Sequence, residues 1–147
     1  MTPDVNVLVA ASRADHPHHG VAQAWLLSAM ESARTGAPLG LLGTVVASYL
    51  RLVTHRKVFA EPTPMASAIA YVDALLQRPG VSMLAMQDEW AALKKLCLEL
   101  NLSDNDVPDA WIAAGVLQRQ ETLATFDRDF LRLLPGKHLL LLKPSVH

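Results

Sequence analysis

The sequence predicts an α/β fold in which helices cover both faces of a parallel sheet. Segments with apolar residues at helical spacing alternate along the chain with short, continuous apolar runs, which is the pattern of βα units. Of the 147 residues, 51% are apolar and 18% are charged, a composition typical of a globular protein. No repeat or Gly/Ser linker divides the chain, so we expect a single domain over residues 1–147.

Five segments carry the helical pattern. The first ends before Gly36, and the third begins after Thr63 and Pro64, which suit a cap and a first helical position. The fourth is expected to turn Trp90, Leu93, Leu96, Cys97 and Leu100 toward the core, and Trp25 and Trp111 also lie on apolar helical faces. The predicted helices are 17–34, 44–55, 65–77, 88–101 and 109–120.

Three short apolar segments predict strands: 81–85, 121–126 and 138–142. We expect the first of them to be buried. Residues 5–11 are ambiguous, since their β-branched content favours a strand while their length also suits the start of a helix.

Composition narrows the class of protein. No apolar run approaches the roughly 20 residues needed to cross a bilayer, and the N-terminal residues lack a signal-peptide pattern. Cys97 is the single cysteine, so it has no internal disulfide partner and is interpreted as a core residue. These features favour the cytoplasm. The net charge is −1, yet the acid-free stretch between Glu31 and Glu61 allows a local basic patch.

Three aspartates from distant parts of the chain are candidates for one site. Asp127 follows an apolar strand, Asp4 precedes the first element, and Asp109 begins a helix. Ligands of open α/β sheets bind beyond the carboxyl ends of the strands. Neighbouring carboxylates at such an edge repel one another unless a hard cation neutralises their charge. The pattern therefore points to Mg²⁺ and to phosphodiester hydrolysis.

Other interpretations of these residues stay open. Asp109 and the nearby Asp106 also suit a role in helix capping, and Asp127 and Asp129 suit an ordinary loop. The cluster of His16, His18 and His19 suggests zinc, but it has no further ligand motif, so a solvated loop is favoured.

The chain as a whole resembles the PIN domain, and in particular the VapC toxins of toxin–antitoxin pairs. The resemblance rests on four segments in the same order, namely DVNVLVAA followed by DHPHHGVAQAWL, SYLRLVTHRKVFAEPTP, VPDAWIAA and TLATFDRDF. It implies an α/β/α sandwich with a mainly parallel sheet, and a helix rather than a strand at residues 5–11.

The resemblance also implies a metal-dependent ribonuclease. Asp4, Asp109 and Asp127 would hold Mg²⁺ or Mn²⁺, and the further candidates are Asp129, Asp106, Asn6 and Thr125. Candidate RNA-binding residues are Arg51, Arg56, Lys57 and Arg128. The implied partners are an RNA substrate, a VapB-type antitoxin and a second copy of the chain, with no membrane.

The sequence departs from this family in two places. The glutamate expected near the start of the middle helix is absent from residues 32–60, and Gly43 or a near neighbour takes its place, which predicts weaker metal binding. Thr2-Pro3 replaces apolar strand residues, and proline's missing donor puts the pairing of the first strand in question.

Because the glutamate is absent, the alternative function is a catalytically silent PIN module that binds protein or RNA. A receiver-like signalling domain fits less well, because the order of the aspartates differs and no lysine is suitably placed.

Overall fold

The computed structural model describes residues 1–85 and 87–144. Its five strands are β1 (Thr2–Pro3), β2 (Leu39–Leu42), β3 (Val81–Leu84), β4 (Leu123–Thr125) and β5 (Leu139–Leu141). β1 pairs with β4, β4 with β5, and β2 with β3, and each pair is parallel. The Gly40 amide donates to the Met1 carbonyl at 3.0 Å and joins β2 to β1. Strands β1, β4 and β5 form one sheet in the order β1-β4-β5 and strands β2 and β3 form a second one, and the parallel pairing in both confirms the predicted parallel arrangement.

The first strand pairs fully with β4 despite its proline. The amides of Thr2 and Asp4 donate to the carbonyls of Thr122 and Ala124, both at 2.9 Å. The nitrogen of Pro3, between those two residues, faces away from β4, so its missing N–H removes no bond from this ladder. Pairing with β4 is therefore intact, whereas β1 and β2 form no ladder among the described residues, so the expected disturbance is confined to the side that the Pro3 nitrogen faces.

The helices are α1 (Val5–Ser12), α2 (His19–Arg34), α3 (Gly43–Val53), α4 (Met65–Leu76), α5 (Trp90–Glu99) and α6 (Asp106–Gln118). All five helices predicted from periodicity are present, with boundaries shifted by a few residues. Residues 5–12 are helical, as the resemblance implied, and Pro64 is the N-cap of α4 rather than its first helical residue. Among the described residues, no helix is long and apolar enough to span a membrane.

Burial distinguishes the centre of the sheet from its edge. All four residues of β2 and all three of β4 are buried, and because successive side chains point to opposite faces, both faces must be covered. β3 is an edge strand with Ser82 and Met83 exposed, so the prediction that it is buried holds only in part.

The predicted inner face of α5 holds only in part, because Leu93, Leu96 and Cys97 are half-buried whereas Trp90 and Leu100 are exposed. None of its residues is buried, Trp90 is 61% exposed and Leu98 is 76% exposed. This helix packs mainly against α6, and the buried residues on that side of the molecule include the alanines of α6. Cys97 is only half-buried, and Trp25 contacts the core from its edge.

Candidate metal centre

Three aspartates line one open hollow of about 590 Å³ at the carboxyl edge of the sheet. Asp4 directly follows β1, and Asp127 lies two residues after the end of β4. Because β1 and β4 are parallel neighbours, their carboxyl ends meet at the same edge. Asp109 reaches the hollow from the first turn of α6. The fold thus brings together the three residues predicted to bind metal.

Asp4 is fixed before any ligand binds. Its side chain is 4% exposed, and Oδ1 accepts a hydrogen bond from the Val5 amide at 2.7 Å, which caps α1. Oδ2 accepts a hydrogen bond from the Thr125 hydroxyl at 2.6 Å. Burial raises the pKa of Asp4, while these two hydrogen bonds act in the opposite direction.

Thr125 connects the aspartates through its buried hydroxyl. Besides donating to Asp4, Oγ1 accepts from the Asp127 amide at 2.9 Å and from Asn6 Nδ2 at 3.2 Å. Asn6 Oδ1 in turn accepts from the Phe126 amide at 3.3 Å. One hydroxyl thereby uses its donor and both lone pairs to hold β4 against α1. Thr125 and Asn6 are positioning residues of this site.

The hollow carries uncompensated negative charge. Asp4, Asp109 and Asp127 take part in none of the ion pairs found within residues 1–85 and 87–144. The pKa of Asp109 is raised to about 6, first by burial and then by the charges of the neighbouring acids, which in order of importance are Asp127, Asp4, Asp129 and Asp106. A cation in the hollow would relieve this repulsion.

The donor set fits a hard divalent cation in its chemistry. Carboxylate oxygens are the ligands that Mg²⁺ prefers, and Mg²⁺ often takes only one or two of them directly because it keeps several waters. In the described part of the chain, no three His, Cys, Asp or Glu side chains already form a compact ligand set. The three aspartates therefore line the same hollow, but their carboxylates do not yet form a compact set of metal ligands.

The other predicted site residues divide between the hollow and its surroundings. Arg51 lines the hollow, whereas Arg56, Lys57 and Arg128 are exposed and lie outside its lining. Asp129 is exposed, and its amide donates to Asp127 Oδ1 at 2.9 Å. Asp106 lies outside the lining and pairs with Arg132 at 2.8 Å. Of the two acids after β4, only Asp127 faces the site.

Gly43 does not contribute to this hollow. It lines a separate, smaller cavity of about 140 Å³, beside Trp111 and the ion pair between Glu89 and Arg119. Of the α3 residues, Ser48, Arg51 and Leu52 line the hollow, and Ser48 lies one and a half turns beyond Gly43. The polar pair Ser48 and Arg51, three residues apart on one face of α3, was the signal for this position in the sequence.

The histidine cluster is not a solvated loop, contrary to the sequence interpretation. All three rings are half-buried, and His19 Nδ1 lies 2.9 Å from the Ala10 carbonyl oxygen. His18 stacks on Phe126 with a centroid distance of 4.9 Å. His16 lines the same hollow as the aspartates, a contact that sequence periodicity gave no means of predicting.

Comparison with known proteins agrees with this geometry. The family model described as PIN domain matches residues 1–133. Ribonuclease VapC25 of Mycobacterium tuberculosis is 36% identical over 146 residues, covering 92% of this chain and 94% of that protein. Ribonuclease VapC43 of the same species is 40% identical over 130 residues, with coverages of 88% and 86%.

A solved structure shares the fold. The crystal structure of VapBC2 from Rickettsia felis bound to a DNA fragment from their promoter superposes with a TM-score of 0.69, at 16% identity, over 97% of this chain and 98% of that one. At this identity the match shows the fold and nothing finer. Together with the sequence relatives, it excludes the receiver-like alternative. The chain belongs to the PIN domain family and, within it, to the VapC ribonucleases.

Proposed function

We propose that this chain is the endoribonuclease toxin of a type II toxin–antitoxin pair, and that it hydrolyses RNA phosphodiester bonds with the help of Mg²⁺ or Mn²⁺. The observation that carries the proposal is the convergence of Asp4, Asp109 and Asp127, none of them in an ion pair within the described residues, on one hollow of a VapC-family fold. A bound divalent cation polarises a phosphoryl oxygen and lowers the pKa of a water molecule that it coordinates.

The side chains that line the hollow have different roles in this proposal. Asp109 and Asp127 supply oxygen ligands, and Asp4 is held in one orientation by Val5 and Thr125. Arg51 is the cation of the lining, so it is suited to contact the RNA phosphate that the carboxylates would otherwise repel.

The lining holds no fourth carboxylate, and this favours a second candidate function. Ser48 is the α3 residue of the lining at which a glutamate would add a carboxylate, and it carries only a hydroxyl. A hydroxyl is a weaker ligand than a carboxylate and adds no charge, so cation affinity falls. A PIN module that binds its partners without cleaving RNA is the alternative that this absence supports.

Family membership further supports three partners, namely RNA, a VapB-type antitoxin that masks the hollow, and a second copy of the chain. The exposed apolar face of α5, with Trp90 and Leu98, gives such a protein partner a surface to cover. Access to cellular RNA and to an antitoxin places the proposed activity in the cytoplasm.

The deciding experiment is the incubation of total cellular RNA with the purified chain and Mn²⁺, beside a sample with excess chelator. Discrete fragments that appear only with Mn²⁺, and that are absent with the Asp127→Asn variant, would support the nuclease. A folded protein that binds its antitoxin but leaves RNA intact at saturating Mn²⁺ would favour the silent module.

Thr125→Val is expected to weaken Mn²⁺ affinity or turnover by roughly 10- to 100-fold, as for other residues that orient metal ligands. Valine keeps the shape of the side chain but leaves Asp4 Oδ2 and the Asp127 amide without their partner. Thr125→Ser retains the hydroxyl and should stay within a few-fold of the parent. Calorimetric titration with Mn²⁺ tests this, and equal losses in both variants would contradict the role of the hydroxyl.

A further inference from the structure

His16 lines the acidic hollow and can form hydrogen bonds there, but it is not one of the proposed metal ligands. It stands on the connection between α1 and α2, and its ring forms part of the wall that also contains Asp4, Arg51 and Asp127. Its Nδ1 accepts a hydrogen bond from the His18 amide at 3.0 Å. In the described part of the chain, no residue accepts a hydrogen bond from its second nitrogen, Nε2.

The ring is held in place by a series of contacts that ends at the metal site. The rings of His16 and His18 lie 5.6 Å apart, and His18 stacks on Phe126 at 4.9 Å. Phe126 immediately precedes Asp127. His16 is therefore positioned against the same strand end that carries the metal-binding acid.

The hydrogen bond at Nδ1 fixes the protonation state of the ring. An Nδ1 that accepts from an amide carries no proton, so the neutral imidazole bears its hydrogen on Nε2. Protonation of Nδ1 would break the bond to His18. Burial lowers the pKa of His16, and the charges of His18, His19 and Arg13 lower it as well, against the opposing effect of Asp15. At neutral pH the ring thus offers one hydrogen-bond donor and no charge.

A phosphodiester in this hollow needs such donors. Its non-bridging oxygens only accept hydrogen bonds, and the ionised aspartates of the lining offer none. Asn6 donates one of its two amide hydrogens to Thr125, so the lining side chains with a donor to offer are Asn6, Ser48, Arg51 and His16. We propose that His16 is an RNA-contacting residue whose Nε2–H donates a hydrogen bond to a phosphodiester oxygen of the substrate. This inference rests on the proposed function, because it takes RNA as the ligand.

The test measures RNA binding without cleavage. A fluorescently labelled pool of random-sequence 20-nucleotide RNA is titrated with each protein in the presence of chelator, and anisotropy gives the affinity at several salt concentrations. His16→Gln places an amide donor near the position of Nε2. His16→Asn places its amide oxygen near Nδ1 and keeps the contact with His18, but it has no group at Nε2. His55 is the matched control, because its Nδ1 also accepts from an amide two residues on, at 3.0 Å, yet it lies outside the hollow.

We expect His16→Ala and His16→Asn to bind RNA roughly 3- to 10-fold more weakly, His16→Gln to recover most of the affinity, and His55→Ala to match the parent. The salt dependence should stay unchanged in the His16 variants, because the donor is neutral, whereas Arg51→Ala should reduce its slope by about 1. Long-range ¹H–¹⁵N spectra should show His16 in the Nε2–H form at pH 7.

Several results would overturn the inference: unchanged affinity in His16→Asn, a reduced salt slope in the His16 variants, an Nδ1–H ring, or no RNA binding by the parent. Failure of the nuclease proposal would look different. The parent would then bind RNA, with the same ranking of variants, but would leave it uncleaved when Mn²⁺ replaces the chelator.

Discussion

Asp109→Asn is expected to reduce Mn²⁺-dependent RNA cleavage by at least about 100-fold while making the metal-free protein more stable. The loss of activity follows because an amide supplies neither the charge nor the second oxygen acceptor that a divalent cation uses, and each tenfold loss corresponds to about 1.4 kcal/mol. The stabilisation follows from the raised pKa of Asp109, about 6, which means that folding disfavours its ionised form.

The sign of the stability effect depends on pH. In the unfolded chain Asp109 ionises near 3.8, whereas in the folded chain it ionises near 6. Between these values the folded state binds the extra proton, so the stability of the parent falls as pH rises and stays lower above pH 6. Asparagine removes this penalty. We expect a gain of about 1 kcal/mol at pH 8, a value reduced for the partial exposure of the group, and no gain below pH 4.

Urea unfolding at pH 4 and pH 8 with chelator, together with the cleavage assay, measures both effects. Asp73→Asn is the matched control, since it makes the same chemical change at an exposed site on α4. It should leave cleavage and the pH dependence of stability unchanged. A parental level of cleavage in Asp109→Asn would remove this residue from the metal site, and a lower stability at pH 8 would contradict the electrostatic argument.

The parts of the fold that periodicity predicted are those with a repeating apolar face. Helix α3 follows such a pattern closely, whereas strand β4 was found from a continuous apolar run instead. Strand β2 was missed because its four residues contain a glycine and no alternation, so nothing local separates them from the turn after α2. The inner face assigned to α5 was right for Leu93, Leu96 and Cys97 and wrong for Trp90 and Leu100. Apolar side chains also lie on the exposed side of this helix, so its packing against α6 decides which of them are covered.

The site was predictable where topology determines it. Acids after parallel strands meet at one edge, which is why Asp4 and Asp127 were found together. The resemblance identifies the helix that lacks the acid but not the residue, and of the two positions compared only Ser48 lines the hollow. Moving from Gly43 to Ser48 advances about 7.5 Å along α3 and rotates the side chain to a different face.

Ser48→Glu is expected to raise Mn²⁺ affinity roughly tenfold and to increase RNA cleavage, whereas Gly43→Glu should change neither. Ser48 lines the same hollow as the three aspartates, so a glutamate there adds a fourth carboxylate to that hollow. Gly43 lines the other cavity, and a Cβ atom added to it meets nothing within 4 Å. The Gly43→Glu variant should therefore fold normally and tests the position of the carboxylate. Arg51, three residues on from Ser48, would compete for the new carboxylate and limits the expected gain.

Calorimetric titration with Mn²⁺ and the total-RNA assay distinguish the two positions, with Ser48→Gln as a control of similar shape without charge. A gain in Ser48→Glu alone assigns the lost ligand to the middle of α3, and it identifies the missing carboxylate as the cause of weak activity in the parent. A gain in Gly43→Glu alone would mean that the smaller cavity is the metal site, against the arrangement of the aspartates. If Ser48→Glu binds Mn²⁺ more tightly and still leaves RNA intact, the missing ligand is not what silences the chain, and the binding module becomes the better account.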